Sequence, residues 1–308
     1  MSKNWVEYEN GNYTVHINLE NGTKVRQTDE DEFKPKRAES CDVKITNQCD
    51  MGCSFCHERS VSDGMHSSFE DLMNFADKVP AYMELAIGGG NPLSHPHLIP
   101  FLKRLKERKA IPSMTVHQKH FQENILLLEH LCKEKLIYGL GISLANPHDE
   151  FIAAVKKFPN AVIHVINGCT WPSHIERLKD KGLKILVLGY KLFGRGVNSY
   201  ERNRDIYLKR FLEWDTMMSK MIKEGWFNTV SFDNLALTQL NVKQYMSEEE
   251  WSEFFMGDDG QFTFFIDLVE RTFCTSSTTA KDNRYVMGYD LTLEEMFEII
   301  LMEKGNKQ

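Results

Sequence analysis

The sequence predicts an α/β protein built on a parallel sheet, with smaller β-rich segments at both ends. Apolar strand-like runs alternate with helix patterns between residues 41 and 189. Repeated alternation of this kind favours parallel strands joined by right-handed helical crossovers. A length of 308 residues and an apolar content of 42% suffice for one such domain with additions.

The first segment, residues 1–39, is predicted to be a three-stranded β-meander followed by a linker. Two Asn-Gly pairs, at residues 10–11 and 21–22, separate β-rich runs at 5–8, 13–19 and 23–25. Asn-Gly favours tight hairpins because both residues tolerate the positive φ that the turn requires. Charged residues and a proline over 28–39 predict the linker.

The second segment, residues 40–235, carries the alternating pattern. A serine and a glutamate, Ser67 and Glu70, predict a capping box at the start of its first helix. The predicted strands are 41–46, 82–87, 112–117, 137–144, 161–166, 183–189 and 229–232. The predicted helices are 68–79, 97–109, 120–135, 149–157, 173–181 and a long one at 199–224.

The third segment, residues 236–308, is predicted to hold a hairpin and a final helix. A turn at 258–260 precedes strand-like runs at 262–268 and 272–276. Thr292 and Glu295 have the spacing of a capping box, and an amphipathic pattern over 292–303 follows it.

Composition narrows the classes of partner. The net charge of −7 argues against a broad phosphate-binding surface, so no nucleic-acid partner is expected. No apolar run reaches the roughly 18 residues that span a bilayer, and residues 1–5 open no secretory signal. Four of the seven cysteines are scattered without the spacing of a disulfide framework. We therefore expect a cytoplasmic protein with no membrane partner.

Three clustered cysteines are the strongest chemical signal. Cys49, Cys53 and Cys56 follow the first strand of the alternating pattern with C-x3-C-x2-C spacing, and Gly52 permits a bend between them. Thiolates suit iron–sulfur clusters and zinc. A structural zinc site that adds His57 fits less well, because zinc ligands usually come from two separated pairs. A cluster held by three cysteines would leave one iron open.

A glycine-rich turn is the second signal. Gly88, Gly89, Gly90 and Asn91 follow the predicted strand 82–87. Glycines at the carboxyl end of a parallel strand let a ligand approach the backbone closely.

The two motifs together, with Phe55 directly before the last cysteine, resemble the radical S-adenosylmethionine (radical SAM) superfamily over about residues 40–230. This resemblance implies a partial (β/α)6 TIM-like barrel and a [4Fe-4S] cluster on the three cysteines. It also implies that S-adenosylmethionine (SAM) binds the open iron. A one-electron reductant of the flavodoxin or ferredoxin type would then drive SAM cleavage to a 5′-deoxyadenosyl radical, which abstracts hydrogen from a substrate.

The resemblance also assigns candidate SAM contacts. Gly88, Gly89, Gly90 and Asn91 match the family's turn at the methionine amino group, although Asn91 replaces the usual glutamate. The remaining candidates are Phe55 and Gly168 near the adenine, Ser143 at the ribose and Lys191 at the carboxylate.

The substrate is less determined by the sequence. His117, Asp233 and Cys274 are catalytic candidates, and Cys274 is either a hydrogen-atom donor or a buried apolar residue. A peptide or protein side chain is the leading substrate, because a meander can pair with an added peptide strand. A small metabolite or nucleotide is the alternative, and a non-catalytic iron–sulfur or zinc sensor is the alternative of another class. Both terminal segments are expected to shape the mouth of the barrel.

Overall fold

A computed structural model describes residues 4–305 of the chain. Residues 1–3 and 306–308, the outer ends of the two terminal segments, lie outside this range.

The N-terminal meander forms as predicted. Strands β1 (Trp5–Asn10), β2 (Tyr13–Asn18) and β3 (Lys24–Gln27) pair antiparallel in chain order. The first turn requires a glycine, because Gly11 has a φ of +70° and a Cβ there would lie 1.9 Å from the Lys34 carbonyl oxygen.

Seven parallel strands build the main sheet in chain order, with α/β crossovers between them. They form the open, partial barrel that was predicted, and no closed barrel is present in residues 4–305. The strands are β4 (Ser40–Thr46), β5 (Glu84–Gly89), β6 (Ile111–His117), β7 (Gly139–Ser143), β8 (Ala161–Ile166), β9 (Lys184–Leu188) and β10 (Thr229–Phe232).

Eight helices accompany these strands in the described range. They are α1 (Phe69–Lys78), α2 (Leu98–Glu107), α3 (Gln118–Glu123), α4 (Ile125–Lys133), α5 (Asp149–Val155), α6 (Pro172–Leu178), α7 (Arg195–Arg202) and α8 (Arg204–Lys223).

Two predicted helices, 120–135 and 199–224, are each broken by an asparagine. Asn124 and Asn203 leave the helical φ/ψ region, and their side-chain amides donate to the carbonyls of His120 (2.9 Å) and Ser199 (3.1 Å). Asparagine competes with the helix in this way because its amide can bond to nearby backbone groups.

The predicted cap of α1 is also wrong, by one residue. Ser68 caps the helix and accepts from the Asp71 N–H at 3.0 Å. Ser67 instead lies 3.2 Å from the ring of the buried His95.

The C-terminal segment joins the main sheet instead of only flanking it. After α9 (Asn234–Gln239) and α10 (Glu248–Phe254), strand β11 (Thr263–Asp267) pairs parallel with β4. Strands β12 (Thr272–Cys274) and β13 (Tyr285–Val286) then extend the sheet antiparallel, and β11–β12 is the predicted hairpin. The capping box before α11 (Leu293–Gly305) is confirmed by the Glu295 N–H, which donates to the Thr292 hydroxyl at 3.2 Å.

The N-terminal meander lies at the opposite end of the barrel from the mouth. Its buried residues Tyr13, Val15 and Ile17 pack with Ile111, at the amino end of β6. A cavity of about 420 Å³ beside this contact is lined by residues of the meander and of the amino ends of the strands. The expectation that both terminal segments shape the mouth is therefore wrong for this one, because ligands of parallel barrels bind at the carboxyl ends of the strands.

Candidate active site

The cysteine loop follows β4 at the carboxyl end of the sheet. Its two ends are tied together by backbone bonds: the Asn47 N–H donates to the Met65 carbonyl at 2.7 Å, and the Cys49 N–H donates to the Val61 carbonyl at 2.8 Å. The loop is therefore held in shape at its base, with Cys49 at one of these bonds and Cys53 and Cys56 beyond them.

The three thiols are partly exposed and close enough to influence one another. Burial, and then the neighbouring thiols, raise the pKa of Cys53, and burial also raises the pKa of Cys49. Within residues 4–305, no three side chains of His, Cys, Asp or Glu lie close enough together to bind one metal ion. A cubane cluster binds each thiolate at a different iron, so its ligands need not converge on one point. Neighbouring, half-exposed thiols on one loop fit such a cluster.

Arg195, the first residue of α7, clamps the cysteine loop. Its Nε donates to the Cys53 carbonyl at 2.9 Å, and both terminal nitrogens donate to the Ser60 carbonyl at 3.0 Å. Its backbone N–H donates to the Cys56 carbonyl at 3.0 Å. One residue thus fixes the backbone at two of the three cysteines.

The approach of α7 to the loop depends on a glycine. Gly194 has a φ of +56°, and a Cβ there would lie 2.2 Å from the His57 carbonyl oxygen. Only glycine accepts both the backbone conformation and the contact. Leu192 and Phe193, just before it, are exposed on the surface beside the loop.

The glycine turn packs directly on the same loop. The N–H groups of Gly90 and Asn91 donate to the Thr46 and Gln48 carbonyls at 2.8 and 2.6 Å. A Cβ on Gly90 would lie 2.1 Å from the Gln48 carbonyl oxygen, whereas a Cβ on Gly88 would meet nothing within 4 Å. Of these two glycines, Gly88 therefore has open space beside it for a ligand.

Gly89 and Asn91 complete the turn. Gly89 has a φ of +109°, and a Cβ there would lie 2.3 Å from the Thr46 carbonyl oxygen. The Asn91 side chain accepts from the Leu93 N–H at 3.2 Å and caps a short 3-10 helix. The amide that replaces the family's glutamate thus supports the turn.

A buried ion network lies beneath the loop. The Lys44 ammonium lies 2.7 Å from Glu58 and 3.0 Å from Asp267, and all three side chains are at least nine-tenths buried. Glu58 also lies 3.3 Å from the His57 ring. Burial opposes ionisation of Glu58, but His57 and Lys44 outweigh it and hold its pKa below the usual value. The network joins β4, β11 and the cysteine loop.

Asp50 fastens the other side of the loop to α3. Its carboxylate accepts from Lys119 at 2.7 Å and contacts His120 at 2.6 Å, and these bonds lower its pKa. His117 caps α3 by accepting from the Lys119 N–H at 3.1 Å. Its position at the end of β6 is the predicted one, and its catalytic role stays a prediction.

The other candidate cofactor residues surround the mouth. Ser143 ends β7, and Phe55 is half-buried in the cysteine loop. Gly168 follows β8 and packs so closely on α8 that a Cβ would lie 2.2 Å from the Phe211 ring. Next to Gly168, the buried Asn167 side-chain oxygen has no hydrogen-bond partner among the described residues, as expected of an acceptor at a ligand site.

The Lys191 ammonium donates to the Ser277 hydroxyl at 2.9 Å. This bond links the end of β9 to the segment after β12. Its predicted contact with the SAM carboxylate remains a prediction.

Two candidate catalytic residues have structural contacts. Asp233 caps α9 by accepting from the Ala236 N–H at 2.7 Å, and it also accepts from the Gly189 N–H at 2.9 Å. Cys274 is fully buried on β12, and burial raises its pKa to about 11. Their catalytic roles stay predictions.

A loop of three thiols at the mouth of an open parallel barrel defines a cofactor-dependent α/β enzyme. The Radical SAM superfamily model matches residues 43–232, which is more than half of the chain. The chain belongs to the radical SAM superfamily, and its cofactors are a [4Fe-4S] cluster and SAM.

Solved structures support the fold. Streptococcus suis SuiB bound to the precursor peptide SuiA is 12% identical, with a TM-score of 0.63 over 96% of this chain and 88% of that one. SuiB bound to S-adenosylmethionine is 11% identical, with a TM-score of 0.64 over 96% and 87%. No curated protein matches this chain in sequence.

No helix within residues 4–305 is long and apolar enough to cross a membrane.

Proposed function

We propose that this radical SAM enzyme abstracts hydrogen from a peptide or protein side chain held inside its barrel. The observation that carries the chemistry is the cysteine loop, clamped by Arg195 at the carboxyl ends of the strands. The observation that favours a peptide is the likeness to SuiB, one structure of which contains a precursor peptide. This likeness covers 96% of the chain, so it includes the segments outside the family match.

Each proposed role follows from a contact. Cys49, Cys53 and Cys56 would hold the cluster, and the open side of Gly88 would receive the methionine end of SAM. When bound and reduced, these cofactors supply a 5′-deoxyadenosyl radical. Arg195 keeps the loop backbone fixed while an electron arrives from a flavodoxin- or ferredoxin-type protein.

The test of the chemistry is anaerobic reconstitution followed by dithionite reduction with SAM. We expect iron and sulfide to bind and 5′-deoxyadenosine to form in the wild type and in Cys132→Ala, a cysteine on α4 outside the loop. Cys53→Ala should form none. Zinc in the purified protein, or a reduced cluster that cleaves no SAM, would favour the sensor hypothesis.

The test of the substrate class is stimulation of SAM cleavage by fractions of a cell extract. A peptide or protein substrate predicts that protease treatment of the active fraction abolishes the stimulation. A protease-resistant stimulating fraction would instead support the small metabolite or nucleotide.

A further inference from the structure

Strands β5 and β7 present mostly small residues to the interior of the barrel. In filled α/β barrels, layers of large branched residues occupy the interior. Here Leu85, Ile87, Leu140 and Ile142 pack into the buried apolar core. Because side chains alternate along a strand, the residues between them face inward. On β5 and β7 these inward residues are Ala86, Gly88, Gly139 and Gly141.

His164 lies on β8, on the face that is turned to the interior of the barrel. It is in register with Ser143 on β7, which is in register with His117 on β6. A Cβ on Gly141 would lie 2.4 and 2.6 Å from Cε1 and Nε2 of His164, and 2.8 Å from the Thr115 hydroxyl. The imidazole therefore leans across β7 over Gly141, towards Thr115.

The His164 ring and the Thr115 hydroxyl form no stabilising hydrogen bond with the described part of the chain. Within residues 4–305, neither the His164 ring nor the Thr115 hydroxyl has a hydrogen-bond partner. Both side chains are half-buried. Burial lowers the pKa of His164 to about 4, so the ring is uncharged at neutral pH.

We propose that His164 and Thr115 bind the substrate inside the barrel, and that the substrate side chain presents an uncharged hydroxyl or carboxamide to them. This inference rests on the proposed function. Ser143, the predicted ribose contact, is one strand away from His164, at a spacing of about 4.8 Å. The substrate group bound by His164 would thus lie beside the carbon that loses hydrogen. An unpaired imidazole and hydroxyl discriminate strongly against a substrate that cannot hydrogen-bond to them.

The test uses short capped peptides whose central side chain is deuterated. Serine, threonine, asparagine and glutamine are compared with alanine, valine and leucine. In the step that is measured, the substrate C–D bond breaks, the deuterium joins the 5′ carbon, and the unpaired electron remains on the substrate carbon. The readout is deuterium in 5′-deoxyadenosine, measured by mass spectrometry beside the total 5′-deoxyadenosine formed.

We expect deuterium transfer from hydroxyl or carboxamide peptides, at least about tenfold more than from their apolar counterparts. His164→Ala should lose that transfer while its iron content equals that of the wild type. Gly141→Ala should lose it as well, because the new methyl takes the space of the imidazole. His130→Ala, at an exposed histidine on α4, is the matched control and should behave as wild type.

Equal transfer from apolar peptides, undiminished transfer in His164→Ala, or 5′-deoxyadenosine without deuterium from any peptide would overturn the inference. Each of these results leaves the SAM chemistry intact. If no 5′-deoxyadenosine forms at all, the proposed function fails and this inference fails with it.

Discussion

Replacing Arg195 by alanine tests how the cluster is kept in place. The guanidinium donates hydrogen bonds to two loop carbonyls, that of Cys53 at 2.9 Å and that of Ser60 at 3.0 Å. The backbone N–H of residue 195 bonds to the Cys56 carbonyl and survives the substitution. The alanine variant therefore removes the side-chain clamp and keeps the docking of α7.

The size of the effect follows from the two carbonyls that lose a donor. A hydrogen bond contributes about 1 kcal/mol net, so the loss favours loop opening by about 2 kcal/mol. A factor of ten corresponds to about 1.4 kcal/mol, so the open population should rise about 30-fold. Arg195→Lys keeps the positive charge and can serve one carbonyl, so its effect should be about fivefold.

The assay is the rate at which a chelator removes iron from the anaerobically reconstituted protein. If iron leaves only from the open loop, the rate should follow the open population. Arg202→Ala is the matched control, because Arg202 is exposed on the same helix. A rate for Arg195→Ala equal to that of Arg202→Ala would refute the clamp. Equal rates for the alanine and lysine variants would show that neither the charge nor a single hydrogen bond at this position holds the loop closed.

Three further predictions concern the turn, the ion network and the barrel interior. Gly90→Ala should lower the melting temperature, because its methyl would lie 2.1 Å from the Gln48 carbonyl oxygen. Gly88→Ala should leave the melting temperature unchanged and should weaken SAM binding, measured by calorimetry. Lys44→Met should lower the free energy of unfolding in urea by about 3 kcal/mol, because two buried carboxylates lose the ammonium they share and keep only the longer contacts with His57 and Arg284. A loss below about 1 kcal/mol would contradict this. By NMR, the His164 ring should titrate near pH 4 and stay neutral at pH 6. Because folding lowers the pKa of this ring, its contribution to the free energy of unfolding is present above about pH 6.5 and is lost as the pH falls towards 4.

Local sequence determined most of the strands and helices. Asn-Gly pairs predicted the meander, and apolar runs predicted the six barrel strands and β10. The errors lie where side chains compete with the backbone: Asn124 and Asn203 break helices that periodicity alone joins. Their amides are compatible with a helix surface as well as with a break, so the pattern did not separate the two outcomes.

The cysteine loop and the Gly88–Asn91 turn together predicted the family and its cofactors, because each motif is a local feature of the sequence. Only the tertiary structure decided which end of the barrel the meander covers and that β11 pairs parallel with β4. It also decided that Arg195 donates hydrogen bonds to the cysteine loop. The approach of His164 to Thr115 over Gly141 was decided there too. Each of these contacts joins residues far apart in sequence, or depends on how a ring leans, and no local periodicity encodes such a contact.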